Sequence, residues 1–154
     1  MVVYRISSST YADDLSGVGA GLYGGRWNPI GMNVVYTSGS ISLASLEYLV
    51  HNFHILNTKN VALVKIEIED DLPIYELDED DLPFDWQEKT YTPQSTQNIG
   101  RDVFESNKHY LLKVPSAIVP NEYNVLLNPR HEVHINTQIV ETIDPFVIDE
   151  RLSF

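Results

Sequence analysis

The apolar positions of the chain change their spacing several times, and each change marks an element. Val2 to Ile6 is a short β-rich run, read as a strand. From Ser7 to Gly25 the period is lost and Ser, Gly and Asp predominate, the composition of a loop. Five of the eight glycines fall between Gly17 and Gly25, so backbone there comes close to another chain segment or to a ligand. Asn33 to Thr37 reads as a second strand, closed by Ser38-Gly39-Ser40, which also offers a serine N-cap to the next element. Over Ile41 to about His54 the residues Leu43, Leu46, Val50 and Phe53 recur at steps of three, four and three, the stripe of an amphipathic helix and the clearest helical signal in the chain.

Val61 to Ile68 alternates apolar and polar positions and predicts a strand half exposed to water. Pro73, Pro83 and Pro93 punctuate an irregular stretch, with a short helix over Ile99 to Asn107. Tyr110 to Val114, Ala117 to Val119 and Ile135 to Thr142 are short, apolar and bounded by Pro, Asn or His, and each reads as a strand; Asn128-Pro129 is a turn. Several strands with one strong helix predict a compact α+β fold, and 154 residues without a repeat or a linker predict a single domain, 1–154.

Composition narrows the function. With 43% hydrophobic residues the chain can bury a core, and it has neither a run of about 18 apolar residues nor the basic-then-apolar order of a signal peptide at its start. A soluble, cytoplasmic protein is expected, with no membrane partner. The absence of cysteine excludes a disulfide framework, a thiolate metal site and a cysteine nucleophile. A formal net charge of −12 repels nucleic acid phosphates, so no direct nucleic acid binding is expected. Much of that charge lies between Glu67 and Glu88; a solvated strand end and loop is the default for such a run, a docking site for a basic partner the alternative.

Glu47 stands where the helix stripe calls for a hydrophobe, so it faces inward. A carboxylate there must be paired, hydrogen-bonded or placed at a cleft wall. An ion pair with Arg26 or Arg5 and a grip on a cationic or hydroxylated substrate are both open. Arg26 follows Gly24-Gly25, which leaves room for a ligand, and its guanidinium suits a diphosphate; the competing account makes Gly-Gly a turn and Trp27 a core plug. The string is neither a Walker loop nor a Rossmann fingerprint. Tyr36 ends an apolar strand, where a half-buried core or edge role is more usual than a ligand platform. Ser116 follows Pro115 in a tight turn where its hydroxyl can cap a backbone group, and no histidine is spaced to make a hydrolase triad. His131-x-x-His134 and His51-x-x-His54 lack metal-site spacing, and no metal is expected.

Taken in order, several stretches resemble the RES domain, a family named for its Arg, Glu and Ser. They are Tyr4-Arg5-Ile6, Leu22-Tyr23-Gly24-Gly25-Arg26-Trp27-Asn28-Pro29-x-Gly31, Val34-Val35-Tyr36-Thr37-Ser38, Ser42-Leu43-Ala44-Ser45-Leu46-Glu47-x-Leu49-Val50-His51, Val114-Pro115-Ser116-Ala117-x-Val119-Pro120-x-Glu122-x-Asn124 and Leu126-Leu127-Asn128-Pro129. The resemblance implies a compact fold of the ADP-ribosyltransferase, diphtheria-toxin-like type and an enzyme that degrades NAD, taken as substrate and not as a cofactor, or that transfers ADP-ribose to a protein; an inactive binding module of the same fold is the third alternative. It implies Arg26, Tyr36 and Glu47 as catalytic residues and Ser116, with Arg5 and Tyr23, as substrate-binding ones. The role implied is a growth-arresting toxin of a type II toxin–antitoxin pair, held by a helix-turn-helix (Xre-type) antitoxin. A homodimer within that complex stays open. The resemblance says little about the acidic stretch.

Overall fold

The computed structural model describes residues 1–52, 60–90 and 92–152. The elements are β1 (Val2–Ser8), α1 (Val18–Tyr23), β2 (Val35–Ser38), α2 (Ile41–Asn52), β3 (Val61–Glu67), β4 (Ile74–Glu76), α3 (Gln94–Glu105), β5 (Leu111–Pro115), β6 (Tyr123–Leu127) and β7 (Gln138–Ile143), with 3-10 turns at Ser9–Tyr11, Glu79–Asp81, Glu132–Asn136 and Glu150–Leu152. The strands form one seven-stranded sheet in the order β4-β5-β6-β2-β1-β3-β7, antiparallel throughout except for the parallel pair β4 and β5. The architecture is the mixed α+β type expected. No described helix is long and apolar enough to cross a membrane.

Both faces of the sheet carry core. Leu111 and Leu112, Leu126 and Leu127, and Val34 and Val35 are chain neighbours that enter two different hydrophobic clusters, as alternate side chains of a strand must when both faces are covered. This corrects the reading of β3: Val61, Ala62, Leu63, Val64, Ile66 and Ile68 are all buried, because the strand lies inside the sheet and is covered on both sides. The second cluster gathers Trp27, Met32, Val34, Phe104 and Leu126. There α3 lies directly against the backbone of Trp27; a Cβ on Gly100 would stand 1.8 Å from the Trp27 carbonyl oxygen, so the helix reaches this depth because Gly100 has no side chain.

Several boundaries differ from the expectation: β2 starts at Val35 and not Asn33, β7 at Gln138 and not Ile135, and β4 lies in the stretch expected to be irregular. The glycine-rich stretch contains a short helix, α1, and β1 runs on to Ser8. α3 starts earlier than Ile99, immediately after Pro93. Ala117 to Val119 is a turn and not a strand, since the Ser116 hydroxyl takes the N–H groups of Ile118 and Val119 at 3.1 Å each and curls the chain away from the sheet. The strand beside β5 is instead β6. The histidine pair at 131 and 134 is structural: His131 Nδ1 accepts from Val133 N–H at 3.4 Å, and His134 ties its 3-10 turn to Leu15 and Tyr110. Phe53 and His54 lie outside the described residues.

Candidate active site

The sheet is not evenly stitched. β1 pairs with β3 at seven positions but with β2 only at Tyr4 and Ser38. Beyond that rung β1 and β2 diverge, and the gap opens into a cavity of about 500 Å³. β1 supplies Arg5 and Ile6 to its wall, β2 supplies Tyr36, and α2 crosses over it with Ala44, Glu47, Tyr48 and His51. These α2 positions are spaced three, four and seven residues from Ala44, so one helix face lines the cavity. This corrects the phase of the stripe. Leu43, Ala44 and Leu49 are buried while Leu46 and Val50 are exposed, because the inward face is shared between core and cavity and its cavity part is polar.

Glu47 is inward, with 22% of its side chain exposed, yet it pairs directly with neither Arg5 nor Arg26. Its Oε1 accepts from Asn124 Nδ2 at 2.5 Å and from Ser116 Oγ at 3.1 Å. Its Oε2 has the exposed His51 Nε2 at 3.9 Å. Ser116 caps the turn after β5, as its position allowed, and its hydroxyl also reaches the carboxylate.

Arg26 lines the cavity from the Gly24-Gly25 turn and gives one N–H each to the carbonyls of Trp86 and Glu88, the latter at 2.9 Å. Three of the five guanidinium donors are outside these two bonds. Burial depresses its pKa, and the charge of Glu47 opposes that shift. Trp27 is at the same time buried in the core, so the plug and the ligand-facing arginine are consecutive residues.

Tyr36 is held by its hydroxyl, which donates to Asn28 Oδ1 at 2.7 Å and accepts the Trp27 N–H at 3.1 Å. Burial pushes the phenol well above its usual pKa, so it stays neutral and its ring forms part of the cavity wall. The close approach requires Gly25, where a Cβ would fall 2.5 Å from the Tyr36 hydroxyl. Arg5 donates to the Asp14 carbonyl; burial lowers its pKa and the nearby Asp14 carboxylate raises it. Tyr23 stands apart, 83% exposed and outside the cavity lining.

The structure thus brings Arg5, Arg26, Tyr36 and Glu47 to one cleft, places Ser116 buried behind Glu47 and outside the cavity lining, and leaves Tyr23 at the surface. Sequence reasoning missed Asn124 and Asn28, which hold Glu47 and Tyr36, and the carbonyls of Trp86 and Glu88, which hold Arg26. Asn124 lies within one of the RES-like stretches and was within reach of the sequence. Main-chain acceptors leave no residue-type signature.

A half-buried carboxylate, two arginines and an aromatic wall in a cavity of this size suit a small molecule with anionic and sugar-like parts. The sequence model of the RES domain matches residues 2–149. The chain belongs to the RES-domain family. Across 99% of its length this RES domain is 44% identical to a "Toxin Res" of Photorhabdus laumondii, of which 97% is covered. It is also 42% identical to a "Prs ADP-ribosylating toxin" of a Sphingobium species, over 83% of this chain and 82% of that one. A solved structure with the same fold comes from the M. tuberculosis MbcT–MbcA toxin–antitoxin complex, with a TM-score of 0.76 at 20% identity over 99% of this chain and 86% of that one.

Proposed function

We propose that this RES domain is the toxin of a type II toxin–antitoxin pair, acting in the cytoplasm by cleaving the nicotinamide–ribose bond of NAD. The observation that carries the reading is Glu47, a carboxylate fixed at one oxygen in a cavity that also holds Arg26 and Tyr36. Breaking the bond sends its electron pair to the pyridinium nitrogen, so nicotinamide leaves neutral and needs no general acid. The ribose becomes oxocarbenium-like, and a fixed carboxylate stabilises that charge. Arg26 holds the diphosphate, Tyr36 flanks the nicotinamide ring, and Ser116 anchors Glu47 while its turn borders the ribose.

The nucleophile that completes the reaction is water, phosphate or a protein side chain. The protein acceptor is favoured by one specific observation, the ADP-ribosylating name of the Sphingobium relative. The relatives named as toxins, together with the fold neighbour found in a toxin–antitoxin complex, support an antitoxin partner; its helix-turn-helix type rests on the family resemblance alone.

The test is mass spectrometry of NAD incubated with the purified protein freed of any antitoxin, with water alone, with phosphate and with cell lysate. Free nicotinamide is expected in at least one arm, and the co-product identifies the nucleophile. NAD left intact in all three over hours at micromolar protein removes the reading.

A further inference from the structure

Glu47 sits on α2, a helix joined to the sheet by side chains, yet cleavage of the nicotinamide–ribose bond needs its carboxylate held to a fraction of an ångström. The sheet supplies the hold. Ser38 of β2 and Asn124 of β6 are direct partners across the antiparallel ladder, so their side chains share a face. Ser38 Oγ donates to Asn124 Oδ1 at 2.7 Å. The carboxylate only accepts, so it takes the NH₂ group of the amide, and the Ser38 hydroxyl then holds the carbonyl oxygen. Asn124 Nδ2 then reaches Glu47 Oε1, and Ser116 Oγ reaches the same atom from the neighbouring turn. Ser38 is buried and also stands at the Tyr4 rung where β1 meets β2, so the relay rests on a residue paired on both sides in the sheet.

We infer that Ser38 and Asn124 are positioning residues for Glu47: the Ser38–Asn124 cross-strand pair, with Ser116, fixes Oε1 and turns Oε2 toward the ribose that loses nicotinamide. Both side-chain donors converge on one oxygen, whereas His51 at 3.9 Å is too far to hydrogen-bond the other. Oε2 is thereby the atom presented to the reacting centre. The inference rests on the NAD-cleaving reading and adds to it which atom acts and what aims it.

The test compares the wild-type protein with Asn124→Ala, Ser38→Ala and Ser38→Thr, measuring kcat and KM for NAD together with the affinity for carba-NAD, an uncleavable analogue. Misplacing a catalytic group by about 1 Å costs on the order of 100-fold. Asn124→Ala is therefore expected to lower kcat by about 10- to 100-fold while KM and carba-NAD affinity stay close to wild type. Ser38→Ala, which removes one anchor of the amide, loses less, and Ser38→Thr, which keeps the hydroxyl, retains most of the rate. An unchanged kcat in Asn124→Ala overturns the inference, and so does a loss of carba-NAD affinity equal to the loss in rate. If the wild-type protein leaves NAD intact, the reading of the reaction fails and crystal structures decide the relay. A Glu47 carboxylate that leaves Ser116 in Asn124→Ala upholds it; one that stays in place overturns it.

Discussion

Glu47 shows how little separates a structural carboxylate from a working one. Its two donors, Ser116 and Asn124, are neutral, no arginine pairs with it directly, and the exposed His51 ring stands 3.9 Å from its other oxygen. Glu47→Gln keeps the size and removes the charge. On the proposed chemistry it lowers NAD turnover by on the order of 100-fold or more, with the melting temperature close to that of the parent. Parallel kinetics and thermal denaturation check this. A large drop in melting temperature would return Glu47 to a structural role. The inward position of this residue was legible from its place among leucines, but its partners were not: an ion pair with arginine was one of two open readings, and both arginines instead spend donors on carbonyl oxygens, Arg5 on Asp14 and Arg26 on Trp86 and Glu88.

At the scale of elements, the strands with strong β-branched runs and the helix after Ser40 were readable, and the Ser40 hydroxyl does accept the Leu43 N–H at 3.1 Å as an N-cap. The phase of α2 was not readable, since a helix face that is part core and part cavity breaks the apolar rule. α1 was missed because glycine-rich composition argues against a helix, and the Ala117 to Val119 strand was wrongly expected because a side-chain cap outcompeted the ladder there. The 3-10 turn Glu132–Asn136 carries a pH dependence. His134 Nε2 stands 2.9 Å from the Leu15 carbonyl, so the neutral ring donates there and accepts at Nδ1 from the Tyr110 hydroxyl at 2.8 Å. Burial lowers the imidazole pKa below 6.5. As pH falls, the unfolded chain takes this proton before the folded one does. The stability is therefore complete above about pH 6.5 and declines as pH falls toward the folded-state value, by at most about 1.4 kcal/mol per pH unit for one proton. Urea titrations at pH 7.5 and 5.5 are expected to show a smaller acid loss in His134→Gln than in the parent; equal losses would remove His134 from the account.

At the scale of the whole molecule, a net charge of −12 and an acidic stretch that is largely solvated, with Glu69, Asp70, Asp71, Asp78, Glu79, Asp80 and Asp81 exposed, set the field around the protein. Such a surface repels a phosphate backbone. On the toxin–antitoxin reading, promoter binding then belongs to the antitoxin. The isolated protein is expected to leave its promoter DNA unretarded in a gel, while the complex retards it and has no NAD cleavage. Retardation by the isolated protein, or undiminished turnover in a stable complex, would break that division of labour.

The single rung between β1 and β2 has a mechanical meaning as well. It divides seven strands into two panels, β4-β5-β6-β2 and β1-β3-β7, hinged at Tyr4 and Ser38. The wall of the cleft draws Arg5 from one panel and Tyr36 from the other, so a molecule seated there acts as a cross-brace where the ladder is missing. Its binding free energy is added to the folding free energy of the whole sheet, about 2.7 kcal/mol at a hundred times the dissociation constant, and on the NAD-cleaving reading the hinge is stiffest while NAD is in place.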